Sequence, residues 1–233
     1  MWSRNLFLND YKDRLIEKAK YNDELGLWNG KMGIAISLLH LSRITKNNDL
    51  ENVANELLNA VFKNLSYQMP FTFADGLLGI GCGFEYIIRK GFVEGDSDEI
   101  LSEIDQIANN IINSRSIKSL DIEKGLCGVG YYLYYRLEKK SNNDESFITL
   151  NLKEHLIYLI DWFEELLIKT KTEQDYINSY FLLCRLQKLN VFNHKVEKLI
   201  TLCLQKIVDL NCHIRDNYEL LGINSLKVLK PWI

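Results

Sequence analysis

The spacing of the glycines constrains this chain more than any other feature. Of 13, ten lie in three windows of similar sequence, GLWNGKMGIAISLL, ADGLLGIGCGFEYII and EKGLCGVGYYLYY, and an eleventh lies in a fainter fourth, YELLGINSLKVL. Aligned on the second glycine of each GxxG pair, the windows fall at Gly33, Gly79 and Gly128, with Gly222 as the fourth. The first two intervals are 46 and 49 residues, and the last, 94, is twice 47. A unit of that length is repeated, with one copy near Asp175 eroded. Self-similarity at this period is the mark of stacked helical hairpins.

The rest of the chain suits such an array. With 47% hydrophobic residues and two prolines in 233 positions, it can form long helices and bury roughly 70% of its unfolded surface. Striped segments alternate with segments that are apolar nearly all round. After Asp49 the apolar residues are Leu50, Val53, Ala54, Leu57, Leu58, Val61, Phe62 and Leu65, a 3-4-3-4 pattern with one wet face. Ile34 to Leu41 and Val129 to Tyr135 are apolar or aromatic almost throughout, as in helices covered on most sides. Striped helices outside and apolar ones inside give an all-α chain: an α/α toroid or curved solenoid of about five helical hairpins. Outer members are expected near 5–21, 49–66, 98–114, 151–170 and 194–211, inner ones near 31–44, 77–90, 126–139, 173–189 and 219–229. No linker divides the array, so residues 1–233 read as one domain.

A GxxG at the entry to a buried helix has a structural meaning. Gly30, Gly33, Gly76, Gly79, Gly125, Gly128 and Gly222 would allow a positive φ or the close approach of neighbouring backbone. Inner helices starting at one end would also bring their N-terminal amides to a common rim, a place for an anionic or carbonyl-bearing ligand.

These windows resemble the repeats of lanthionine synthetase C-like (LanC-like) proteins. GLWNGKMGIAISLL and GLLGIGCGFEYIIRKGFVEGD carry the likeness, which extends from about Leu25 to Leu137. The resemblance implies an α/α toroid and a place in lanthipeptide-type peptide modification. Active members of that family add a peptide cysteine to a dehydrated serine or threonine, using zinc held by one cysteine and by a Cys-His pair just before a GxxG. Zinc there lowers the thiol pKa while an acid-base residue protonates the enolate. At the matching positions this chain has Trp28-Asn29, Ala74-Asp75, Glu123-Lys124 and Asn217-Tyr218. Cys127 lies inside its GxxG and reads as a small core residue. The one Cys-His dipeptide, Cys212-His213, stands about ten residues upstream of Gly222. It is the alternative zinc site; as the end of a helix it needs no metal. The family's zinc-bearing repeats are its late ones, and five of seven expected hairpins are visible. No cofactor is therefore expected, and the chain reads as a divergent or incomplete LanC-like protein. The alternative is a non-catalytic helical scaffold that binds a peptide or a partner protein.

Other motifs read as structure. Asp96-Ser97-Asp98-Glu99 resembles the acidic motifs of terpene cyclases, but its place before a striped helix makes it a cap. Asp75 and Glu85 are the carboxylates a six-hairpin glycosidase would need. Tyr131, Tyr132, Tyr134 and Tyr135 suit inner-layer packing. His40, His155 and His194 are isolated, and the glycine windows lack the lysine-serine/threonine ending of a P-loop.

A net charge of −3 argues against a nucleic-acid surface. The first residues lack a signal peptide's apolar core, and no apolar run approaches the roughly 18 residues of a membrane span. Cys82, Cys127, Cys184, Cys203 and Cys212 form an odd set without paired spacing, which points to reduced thiols and a cytoplasmic location. The apolar C-terminal segment, with Leu221, Leu226 and Leu229, should pack on the first hairpin or on a second copy, giving a homo-oligomer through the C-terminal hairpin.

Overall fold

The structure is a computed structural model that describes residues 2–66, 68–140, 144–210 and 219–232, with the side chains at 2–5, 219, 220, 224 and 232 left aside. In chain order its α-helices are α1 (Trp2–Tyr21), α2 (Lys31–Thr45), α3 (Asn48–Asn64), α4 (Leu77–Arg89), α5 (Ser97–Ile100), α6 (Ser102–Ser114), α7 (Leu126–Leu137), α8 (Phe147–Lys169), α9 (Glu173–Leu186), α10 (Asn193–Asp209) and α11 (Asn224–Lys227). Among the described residues there is no strand, and no helix is long and apolar enough to cross a membrane. The helices fall into two compact units. The first comprises Met1–Pro70, Ala74–Glu94 and Asn217–Ile233, the second Phe71–Phe73 and Gly95–Asp216.

In the first unit α2 is buried continuously from Met32 to Ser42, as expected of an inner helix. It packs against α1, α3, α4 and α11. α3 is amphipathic. The Asn47 side chain accepts from Asp49 N and starts the helix, which then buries Leu50, Ala54, Leu57, Leu58 and Val61. Each fully buried aliphatic side chain of this kind contributes about 1.5–3 kcal/mol. Phe62 departs from the expected stripe and is 63% exposed; it follows Val61 by one residue, about 100° around the helix, which carries it off the buried face.

The C-terminal segment is the main difference from expectation. In place of an inner helix over 219–229 there are 3-10 turns at Glu219–Gly222 and Lys230–Trp232 flanking the four-residue α11. Leu221 and Gly222 both have positive φ, 63° and 73°, and two consecutive left-handed residues end any helix. The segment is nonetheless fastened to the first hairpin. Trp28 Nε1 donates to Leu221 O at 3.2 Å, Ser37 and Ser225 hydroxyls meet at 2.8 Å, and Tyr11 OH donates to Ser225 O. Leu221, Ile223, Leu226 and Leu229 are buried. Of the two covers expected for this end, the first hairpin is the one seen.

In the second unit α7 packs on α8 and α9, and α10 packs on α8 and α9. α7 is apolar nearly all round, yet it carries Arg136, whose residue is only 2% exposed. Arg136 Nε and Nη2 donate to the two oxygens of Asp105 at 3.0 and 2.8 Å. Tyr132 OH donates to the same carboxylate at 2.6 Å, and Arg136 Nη2 and Lys140 Nζ both reach Asp98. Two cations and two carboxylates therefore tie α5 and α6 to α7. Burial works against ionised Asp98, but its bonds from Lys140 and Arg136 hold its carboxyl below the ordinary value.

Candidate functional site

The entries to the inner helices are where the repeat and its glycines meet, so any rim site is built from them. Gly30, Gly76 and Gly125 are the N-cap residues of α2, α4 and α7. Their φ values of −89°, −113° and −101° with ψ near 180° are conformations open to any residue, so the positive-φ explanation fails for them. Space explains Gly30 and Gly125. A Cβ on Gly30 would lie 2.3 Å from Gly26 N, and one on Gly125 would lie 2.5 Å from Asp121 O. The second glycines are equally tight: a Cβ on Gly33 would meet Leu27 O at 2.0 Å, and one on Gly128 would meet Ile122 O at 2.5 Å. In both windows the crowding carbonyl lies six residues upstream of the second glycine. Gly79 is buried in the first turn of α4.

The same loop folds three times. Lys31 N donates to Glu24 O, Leu77 N to Pro70 O and Leu126 N to Ser119 O, at 2.8–2.9 Å. Each bond runs from the first helical residue to the carbonyl seven positions earlier. A second bond recurs one loop onward. In the first unit Leu27 N donates to Ala74 O at 2.9 Å, and Trp28 N shares that acceptor at 3.0 Å; in the second unit Phe73 N donates to Glu123 O at 2.8 Å. Leu27 and Phe73 each stand three residues before their cap glycine, and Ala74 and Glu123 each stand two before theirs. The first-turn amides expected to face a ligand are therefore already bonded to their own loops at Lys31, Met32, Leu77 and Leu126.

The positions just before the cap glycines serve the backbone or face solvent. Ala74 and Glu123 give their carbonyls to these straps, the Trp28 indole holds the C-terminal segment, and the side chains of Asn29, Asp75, Glu123 and Lys124 are exposed. None is a thiolate or imidazole donor. The described cysteines do not supply a metal site either. Cys127 is fully buried 3.9 Å from Ser179 Oγ, and burial pushes its thiol well above the ordinary value. Burial likewise pushes Cys203 up to about 12 and raises Cys184, and Cys82 is buried. Among the described residues no three His, Cys, Asp or Glu side chains are grouped to hold a metal. The donors described do not fit zinc, which needs deprotonated thiols. Cys212 and His213 lie outside the described residues.

The remaining candidates are dispersed. Asp75 is exposed before α4, and Glu85 is buried on that helix, ten positions later in the chain. Asp96 caps α5, accepting from Asp98 N at 2.8 Å. Tyr131, Tyr132 and Tyr134 are buried, and their hydroxyls are engaged by Arg185, Asp105 and Glu138. His40 Nε2 lies 2.8 Å from Tyr86 OH, with burial, and then Lys90 and Arg43, lowering its pKa to about 4. His155 Nδ1 meets Asn151 O at 2.8 Å, and His194 is exposed on α10. Arg136 and Asp105 were not singled out by sequence, and Asp98 was read only as part of a helix cap; the signal was a cation in an otherwise apolar helix.

Compared with known proteins, residues 21–182 match the family model described as lanthionine synthetase C-like protein. No curated protein matches the chain.

Proposed function

Taking as premise that the chain belongs to the lanthionine synthetase C-like family, we propose that it serves a peptide-modification system as a zinc-free, non-catalytic scaffold for a peptide or partner protein. The observation that carries this is the side-chain chemistry just before the cap glycines. Where the family's Cys-His pair would stand, Trp28-Asn29, Ala74-Asp75 and Glu123-Lys124 offer neither a thiolate nor an imidazole. Thioether closure needs a peptide thiolate, and an unassisted thiol near pKa 8.5 is mostly protonated at neutral pH. Burial raises the thiol pKa of Cys127, Cys184 and Cys203, which works against their binding zinc or acting as nucleophiles. What the loops do offer is exposed side chains: Asn29 and Asp75 in the first unit, and, separately, Glu123 and Lys124 in the second. A reduced, cytoplasmic setting belongs to the same proposal.

Metal analysis of the purified chain, paired with a cyclisation assay on a dehydrated cysteine-containing peptide, tests it. The expected result is far less than one zinc per chain, no thioether formed, and retention of the peptide on the protein. One zinc per chain that disappears in Cys212→Ser, together with ring closure, overturns it and restores the cyclase alternative.

A further inference from the structure

Asn29-Gly30 is the one Asn-Gly pair in the sequence, and it stands in the loop that enters α2. Trp28 N donates to Ala74 O before the pair and Lys31 N donates to Glu24 O after it, so the chain is fastened on either side. The peptide group that joins the two residues is fastened at its oxygen, where Asn22 Nδ2 donates to Asn29 O at 2.5 Å. Its nitrogen is not: Gly30 N donates to no acceptor among the described residues. The Asn29 side chain is exposed and has no hydrogen-bond or ion-pair partner among them. A backbone nitrogen and a side-chain amide carbon thus lie on adjacent residues, both uncommitted, with no Cβ on Gly30 to bar their approach.

We infer that Asn29 is a site of covalent self-modification. Gly30 N loses its proton and attacks Asn29 Cγ. The new N–C bond closes a five-membered succinimide, the Cγ–Nδ2 bond breaks, and the amide nitrogen takes up a proton and leaves as ammonia. Water then opens the ring, giving aspartate when it adds at Cγ and isoaspartate when it adds at the main-chain carbonyl; water is the only co-reactant. The attacking anion carries much of its charge on Asn29 O, so the bond from Asn22 favours it, and the positive end of α2 acts in the same sense. The two products differ in consequence. Aspartate keeps the backbone and adds a negative charge just before the N-terminus of a 15-residue helix, where it is favoured. Isoaspartate adds a methylene to the main chain between Trp28 and Lys31, in a loop so close that a Cβ on Gly30 would lie 2.3 Å from Gly26 N, and so displaces the fastening bonds. The chemistry belongs to this dipeptide and does not rest on the scaffold proposal.

The test holds the folded full-length chain at mildly alkaline pH, with the same chain unfolded in urea as reference, and follows peptide masses. The peptide carrying Asn29 should gain the mass of an NH2-to-OH exchange, faster as pH rises, and its aspartate and isoaspartate forms should separate chromatographically. Folded and unfolded chains should convert within about tenfold of each other; any larger lag of the folded chain, toward the roughly hundredfold penalty of a reacting pair held out of place, would overturn the inference. Hydroxylamine, which attacks the succinimide, should cut the folded chain between residues 29 and 30 and leave Asn29→Ser whole, an exposed change that removes no bond made by that side chain. A folded parent chain left uncut, or the same cut persisting in Asn29→Ser, would overturn it equally.

Discussion

Replacing Gly128 by alanine sets two effects of opposite sign against each other. Gly128 lies in the first turn of α7. An interior Gly→Ala change ordinarily stabilises a helix by about 1 kcal/mol, through propensity and a less disordered unfolded chain. Against that, the new Cβ would sit 2.5 Å from Ile122 O and 2.8 Å from Phe73 Cβ. Ordinary contact begins near 3.4 Å, so the loop carbonyl must retreat by close to an ångström. Ile122 is followed by Glu123, whose carbonyl receives the Phe73 amide, and preceded by Asp121, whose Oδ1 accepts from Lys124 N at 2.7 Å. A carbonyl held on both sides cannot yield freely. Overpacking of this kind costs about 1–3 kcal/mol, and a stretched strap adds about 1 kcal/mol. The net expectation is a loss of about 1–3 kcal/mol, seen as a lower midpoint in urea unfolding followed by circular dichroism. Valine at the same position should lose more. An alanine variant unfolding at or above the parent midpoint would show that helix propensity wins and that these glycines are not required by crowding.

Three further outcomes are expected. Arg136→Met should destabilise by about 3–5 kcal/mol, because Asp105 keeps a buried charge without its partner; the parent's stability from Asp98, whose pKa is depressed, should be present at neutral pH and fade as pH falls below the ordinary carboxylate value, and that acid limb should flatten in the variant when unfolding is measured against pH. His40 is neutral in the fold down to about pH 4 while the unfolded chain takes up a proton below about 6.5, so stability should decline between those values and His40→Gln should remove that slope; an NMR titration of His40 near its ordinary value would refute it. Tyr11→Phe breaks the bond to Ser225 O and should lower stability by about 1 kcal/mol while speeding amide exchange at residues 221–229; unchanged exchange there would show that the segment is held by its apolar side chains alone.

Hairpin positions were legible because hydrophobic period is a property of single residues. α2, α4 and α7 begin at Lys31, Leu77 and Leu126, where the glycine windows put them, and the striped segment after Asp49 is α3. The segment over 219–229 misled because Glu219, Leu220 and Leu221 are good helix formers; its left-handed turn at Leu221 and Gly222 is held on Trp28, nearly 200 residues away in the chain. The straps were invisible for a different reason. They join backbone amide to backbone carbonyl, so no side chain records them.

Identical straps in successive loops change what the glycines can be taken to mean. If they marked ligand contacts, the amides beside them would be open; instead Lys31, Met32, Leu77 and Leu126 donate to their own loops. The GxxG therefore maintains the loop, and the loop presents whatever precedes the first glycine. Chemistry and architecture are separable in such a repeat. Exchange of a Cys-His pair for Ala74-Asp75 or Glu123-Lys124 leaves every strap in place, since the straps use only carbonyls and amides that any residue but proline supplies. A chain can thus keep the family's repeat whichever side chains precede the first glycine, because the repeat is held by backbone that those side chains do not dictate.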